Sequence, residues 1–184
     1  MMKKMINPGS HIIADLIDKG SEGVEIGVWI GDTTEKFAAK ASLVHAVDAY
    51  DITVFGEDEF EKLCARYSKL YNIEPTKEGF AKFYDNIYQG VVDRFEGRNV
   101  QVYRMNSTEW FAQNTKTDYD WIYVDGDHSY DGCLRDLNNA WDVIRKGGVM
   151  YGDDLNSKKG VRKALQEFGH QYVDLGLGQW KIEK

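Results

Sequence analysis

Residues 23–50 read GVEIGVWIGDTTEKFAAKASLVHAVDAY. An apolar run at about 23–28 ends in a glycine turn. Asp32-Thr33-Thr34-Glu35 then has the spacing of a capping box, opening a helix that reaches about Ala41. A second apolar run ends at Asp48. The pattern is strand, helix, strand. Strands joined this way run parallel, because a parallel pair needs a crossover between its members.

The chain on both sides extends the unit. Upstream, Ser10 can cap a helix over roughly 11–19, with Ile12, Ile13, Leu16 and Ile17 at helical spacing and Gly20 at its end. Downstream, NVQVYRM, YDWIYVDG and GVMYGDD read as a third, fourth and fifth strand. Ser107-Thr108-Glu109 opens a short helix after the third. DGCLRDLNNAWDVIRKGG is a helix with Cys133, Leu134, Leu137, Trp141 and Ile144 on one face, capped by Asp131 and closed by Lys146-Gly147-Gly148. KKGVRKALQEFG is another, and YVDLGLGQWKIEK forms two short strands joined through Gly176 and Gly178. The expectation is an α/β fold: a single domain over 1–184, with a Rossmann-like, doubly wound, mostly parallel sheet and a C-terminal antiparallel hairpin.

Residues 51–97 exceed what a crossover needs. EDEFEKLCARYSKLYNI reads as one helix and KEGFAKFYDNIYQGVVDRF as one or two more, so a helical insertion is expected here. It carries Phe60, Tyr67, Tyr71, Phe80, Phe83 and Tyr84. Long insertions at the ligand end of a sheet act as lids. This one is expected to govern acceptor access rather than cofactor affinity, and its aromatic content makes it a reasonable homo-oligomer surface.

Composition narrows the class. The 184 residues suit one domain with a full core. With 42% hydrophobic and 29% charged residues the chain reads as globular. A net charge of -7 argues against nucleic acid as a partner, since phosphate backbones call for clustered Lys and Arg. No apolar stretch is long enough for a bilayer, so no membrane is expected. MMKKMINPGS lacks the apolar run of a signal peptide. Cys64 and Cys133, far apart and without a CxxC, read as reduced thiols. A cytoplasmic location follows.

The informative polar residues all fall at strand ends: Glu25 and Gly27, Asp48, Asn106 and Ser107, Asp125 to His128, Asp153 and Asp154. In doubly wound sheets ligands bind there, at the switch point. A dinucleotide site would carry GxGxxG with a pyrophosphate on the helix N-terminus. This chain has Glu25-x-Gly27-x-x-x-Gly31, followed by Asp32, which would repel a pyrophosphate. Asp48 has the spacing of a ribose-binding acid. The combination suits a nucleoside cofactor without phosphates, as S-adenosyl-L-methionine is. The acids of DGDHSYDG, residues 125–132, repel one another unless a cation or polar ligand intervenes.

VEIGVWIGDTT resembles the first motif of class I S-adenosylmethionine-dependent methyltransferases. VDGDHSYDGCLRDLNNAWDVIRKGGVMYGDD is similar, more narrowly, to the small-molecule O-methyltransferase branch with a DGDHSY…GG…DD signature, which includes macrolide-sugar O-methyltransferases. The ends of strands four and five also resemble the metal-dependent catechol O-methyltransferase type. The resemblance spans roughly residues 20–155. It implies that Glu25, Gly27 and Gly31 face the cofactor, that Asp48 takes the ribose hydroxyls, and that Asn106 and Ser107 lie by the adenine. It further implies that Asp125, Asp153 and Asp154 hold Mg2+, with Asp125 also touching the cofactor, and that His128 is a general base.

Such residues could support methyl transfer to a small-molecule acceptor, a hydroxylated sugar or natural-product intermediate. The leaving group is already activated, so the protein supplies alignment. A divalent cation lowers the hydroxyl pKa and a neutral imidazole takes the proton. Plainer readings stand beside these. His128 could simply hold its loop, Asp153-Asp154 could form a solvated turn, and Lys158-Lys159 a solvated basic turn rather than a seat for an anionic acceptor. Two rival functions remain at this point: an NAD-dependent oxidoreductase, and a non-catalytic cofactor-binding module.

Overall fold

The computed structural model describes residue 7 and residues 9–52 and 57–184. Residues 53–56 of the expected insertion, and the N-terminal residues 1–6 and 8, lie outside the described residues.

The βαβ unit forms as its sequence dictates. Strand β1 (Glu22–Ile26) runs into helix α2 (Asp32–Ala38), which returns to β2 (Leu43–Asp48), with helix α1 (Ser10–Leu16) preceding them. Helices α3 (Glu57–Tyr71) and α4 (Lys77–Phe95) lead to β3 (Val100–Arg104). Next come α5 (Ser107–Gln113), β4 (Tyr119–Val124), α6 (Tyr130–Val143), β5 (Ile144–Gly152), α7 (Lys159–Phe168), and the strands β6 (Val173–Gly176) and β7 (Gln179–Glu183). The sheet order is β3-β2-β1-β4-β5-β7-β6. The first five strands are parallel, and β7 runs antiparallel to both β5 and β6. The expected doubly wound sheet with a C-terminal antiparallel hairpin is thus the observed architecture. Among the described residues no helix is long and apolar enough to cross a membrane.

Both faces of the sheet are covered, which explains why the central strands are mostly apolar on both faces rather than alternating. On one face Phe37 of α2, fully buried, packs edge-on against Trp121 and Tyr123 of β4 with centroids 5.2 Å away. Burying such a ring contributes about 1.5–3 kcal/mol. On the other, Val24, Ile122, Leu137, Met150 and Leu165 form the core under α6 and α7. Cys64 and Cys133 are buried and free, as read from their separation.

Helix ends differ from the sequence reading because capping depends on which side chain reaches back. Ser10 does not cap α1; Asn7 does, its Oδ1 accepting from the Gly9 and Ser10 amides at 3.0 Å. That helix stops at Leu16 with Ile17 extended, three residues before Gly20. Asp32 is the first residue of α2, and Gly31, at φ 77°, stands at the N-cap without a side-chain bond. Ser129, not Asp131, caps α6 by accepting from the Gly132 amide. Nor does Lys146-Gly147-Gly148 close α6. The helix ends at Val143, and these residues lie in β5, where the Gly147 N–H donates to the Lys184 carbonyl.

In the stretch 51–97, α3 and α4 both lie between β2 and β3. Their aromatics pack inward: Phe80 and Tyr84 are buried, and Phe60, Tyr67 and Phe83 lie against the core.

Candidate active site

The sheet order switches direction between β1 and β4, and in doubly wound sheets ligands bind beyond the strand ends at such a point. Gly27, at φ 90°, follows β1; a Cβ there would stand 2.1 Å from the Asp125 carbonyl oxygen. No other residue permits both that backbone conformation and that approach. The loop therefore turns tightly over the end of β4.

Asp48 ends β2 and holds this loop. Its Oδ2 accepts from the Val28 and Trp29 amides at 2.9 Å, and its Oδ1 from the Tyr50 amide at 2.8 Å. Burial raises its pKa, while these three amides pull the other way. A carboxylate offers about four lone-pair positions, so Oδ1 retains room for a further donor. Glu25 is fully buried in β1. Its Oε2 accepts from the Thr34 hydroxyl at 2.5 Å, and its Oε1 has no partner. Burial pushes its carboxyl well above the usual range, and the charges of Asp125 and Asp48 push the same way. The Tyr50 hydroxyl is a second buried, unpartnered polar atom in this region.

Asn106 and Ser107 follow β3. Asn106 caps α5, its side chain accepting from the Glu109 amide. The Ser107 hydroxyl donates to Asp136 Oδ1 at 2.6 Å. Asp136, fully buried on α6, escaped the sequence reading, although helical spacing puts it on the buried face with Cys133 and Ala140. A carboxylate on a core stripe is the signal that could have found it. Burial pushes it up to about 6, against the lowering effect of Ser107. The fold therefore holds this proton while the unfolded chain releases it near 3.8. Stability falls as pH rises through that interval, and the loss is complete above about 6. At 1.36 kcal/mol per unit, Asp136→Asn should gain roughly 3 kcal/mol on the unsubstituted chain between pH 4 and pH 7. Urea unfolding at several pH values checks this; a constant difference would mean that Asp136 does not titrate there.

At the ends of β4 and β5, Asp125, His128 and Asp154 come together. Each offers one ligand atom, and these atoms lie within 4.8 Å of one another. His128 Nε2 is 3.2 Å from Asp125 Oδ1 and 3.0 Å from Asp154 Oδ2. Burial opposes the imidazolium, but the two carboxylates outweigh it and raise His128 to about 9. Without a cation in the cluster the two carboxylates favour the charged form of the ring. Burial raises Asp125, with His128 lowering it. In Asp154 the bonds from His128 and Ser157 more than reverse the effect of burial. Asp127, the other acid of this loop, accepts from the Ser129 amide and shapes the turn.

Asp153 is turned elsewhere. Its Oδ2 accepts from Asn7 Nδ2 at 2.6 Å and its Oδ1 from the Asp154 amide at 2.6 Å. Asn7 also donates to the Tyr123 hydroxyl, tying the start of α1 to β4 and β5. Burial, then the charge of Asp125, lifts Asp153 to about 6. Nothing in the sequence near Asn7 signals a contact with a residue 146 positions away.

Backbone strain gathers at this end of the sheet. Trp29, Tyr50, Asp154 and Leu177 all have positive φ, between 47° and 63°, and each lies in a loop at this end of the sheet. Such conformations cost about 1–3 kcal/mol each and persist where the surroundings over-determine them.

The strand order, the glycine-turned loop after β1 and the acid ending β2 define the fold of the class I S-adenosylmethionine-dependent methyltransferases. A family model described as a methyltransferase domain matches residues 24–155, and the chain belongs to that family. No curated protein matches significantly. Among solved structures, a putative O-methyltransferase from Klebsiella pneumoniae is 14% identical with a TM-score of 0.63, over 100% of this chain and 84% of that one. A precorrin 8w decarboxylase from Methanobacterium thermoautotrophicum is 17% identical with a TM-score of 0.61, over 93% and 76%. An O-methyltransferase from Bacillus cereus in complex with SAH is 14% identical with a TM-score of 0.58, over 98% and 83%. At such identities these likenesses concern the fold, and their differing reactions show that the fold alone does not name an acceptor. The family assignment favours a methyltransferase over an NAD-dependent oxidoreductase.

Proposed function

We propose that the protein transfers a methyl group from S-adenosyl-L-methionine to a hydroxyl of a small molecule, with a divalent cation held by Asp125, His128 and Asp154. The observation that carries the metal is the convergence of one imidazole nitrogen and two carboxylate oxygens at the ends of β4 and β5. The donor set fits a divalent ion. Its oxygens suit the Mg2+ expected from sequence, while its nitrogen adds affinity for first-row ions such as Mn2+. When bound, such an ion would lower the pKa of an acceptor hydroxyl, so that its proton passes to solvent water, and would fix its position.

The chain's own groups divide the remaining work. Asp48 keeps the loop after β1 closed and offers Oδ1 to a ribose hydroxyl. Glu25 presents its unpartnered Oε1 to the methionine end, with Gly27 and Gly31 giving the loop its turns. Asn106 and Ser107 flank the adenine side, Ser107 being held by Asp136. Asp153 acts one step back: by anchoring Asn7 and the Asp154 amide it sets the Asp154 carboxylate toward His128. The proposal thus gives Asp153 a supporting role and His128 a ligand role, where the sequence reading had Asp153 as a ligand and His128 as a general base.

A ligand that binds only the native state raises Tm. Mg2+ or Mn2+ should therefore raise the Tm of this protein, EDTA should reverse the gain, and Asp154→Asn should abolish it. Asp153→Asn should keep most of it. A metal response lost in Asp153→Asn but kept in Asp154→Asn would contradict the proposed ligand set.

A further inference from the structure

The loop after β1 takes left-handed backbone at three positions, two of them glycines that accept it and the third Trp29. Gly27, Trp29 and Gly31 have φ values of 90°, 53° and 77°. For a bulky residue such as Trp29 the left-handed conformation is costly, so the loop must be held from outside. One hold comes from β2, where Asp48 accepts from the Val28 and Trp29 amides. The other comes from the end of α4. Arg94 Nη1 donates to the Ile30 carbonyl at 3.0 Å and to Asp32 Oδ1 at 2.8 Å, and its Nε donates to Glu35 Oε2 at 3.1 Å. One guanidinium thus joins the loop to the first turn of α2. Its planar fork suits this task, because several donors are fixed relative to one another.

Two further contacts come from the same helical segment. The Phe95 ring lies so near Gly31 that a Cβ there would stand 2.7 Å from it. The Trp29 ring meets Tyr71 of α3 and Phe83 and Tyr84 of α4, with centroids 5.8–6.0 Å apart. The segment expected to act on the acceptor therefore rests on the cofactor loop.

We propose that Arg94 is a positioning residue for the cofactor loop, so that the helical segment between β2 and β3 sets cofactor affinity. Fixing the Ile30 carbonyl fixes the plane of the following peptide, since that bond does not rotate. The loop is then preformed, and the cofactor does not have to order it on binding. This rests on the reading that the loop receives S-adenosyl-L-methionine.

Arg98 provides an internal control. Its Nη1 and Nη2 reach both oxygens of Glu35 at 2.9 and 2.8 Å, and no bond joins it to the loop carbonyl. Calorimetric titration with S-adenosylhomocysteine, well below the Tm of every variant, tests the proposal. Arg94→Met should raise Kd by about tenfold or more, consistent with losing a hydrogen bond from a charged donor. Arg94→Lys, which keeps a charged donor but not the fork, should fall between that variant and the unsubstituted chain. Arg98→Met should bind within about twofold of the unsubstituted chain, a limit of roughly 0.4 kcal/mol, even where its Tm falls as far as that of Arg94→Met. Equal Kd values for Arg94→Met and the unsubstituted chain, or equal weakening in Arg98→Met, would overturn the proposal. An unsubstituted chain that binds no S-adenosylhomocysteine would overturn the cofactor reading as well, and that outcome is distinct because it needs no variant.

Discussion

Asp48→Ala should lose nearly all S-adenosylhomocysteine binding and should also unfold more readily. The sequence reading attached only the ribose to this residue. In the fold the same carboxylate also holds the amides of Val28, Trp29 and Tyr50. Removing it leaves three loop donors without their acceptor and releases two residues, Trp29 and Tyr50, from left-handed backbone. Hydrogen bonds to a charged group are worth about 1.5–3 kcal/mol each, and the burial that raises the Asp48 pKa offsets part of that sum. A loss of about 3 kcal/mol in stability and a rise in Kd of about 100-fold or more are expected. Asp48→Asn, with one acceptor oxygen left, should sit between. Denaturant unfolding and calorimetry measure the two effects separately. Weakened binding with unchanged stability would mean that Asp48 serves the ribose alone.

His128→Ala should slow turnover by about 10²-fold or more, because losing this ligand removes the ion whose charge would lower the acceptor pKa. The cause is expected to differ from that of a free base. The ring sits between Asp125 and Asp154 and is held protonated up to about pH 9. A cation entering the cluster must displace that proton, so metal affinity should increase as pH rises toward 9. His128→Ala should accordingly abolish the Tm gain from Mn2+ as well as slow the reaction. Slow turnover with an intact metal response would return His128 to the role of general base. In the metal-free protein the sign of the pH effect is opposite. The folded imidazole binds its proton more tightly than the unfolded one, so its contribution to stability is complete below about 6.5 and fades as pH rises through 9.

The parallel sheet was legible because its evidence is local. Apolar runs of strand length, glycine turns and helical spacing recur along the chain, and the final glycines mark the hairpin. The grouping of polar residues at strand ends was legible for the same reason, since a parallel sheet places all those ends together. Side-chain direction was not. Asp125 and Asp154 meet at His128, yet Asp153, adjacent in sequence to Asp154, turns to Asn7. Only the docking of α1 against the ends of β4 and β5 decides that. Arg94 was hidden likewise: its bonds to Ile30, Asp32 and Glu35 join α4 to the loop across about sixty residues. The caps expected at Ser10 and Asp131 went to Asn7 and Ser129, polar residues two or three positions away, while Gly31 takes the N-cap before Asp32 with no side-chain bond.

The cofactor and the cation can be located together. Crystals soaked with S-adenosylhomocysteine and Mn2+, recorded at a wavelength where manganese scatters anomalously, test the account most directly. The expected result is the nucleoside across the loops after β1 and β4, its ribose on Asp48, with one anomalous peak bounded by Asp125, His128 and Asp154. A peak on Asp153 instead, or a fully bound cofactor with no peak in the cluster, would contradict the account.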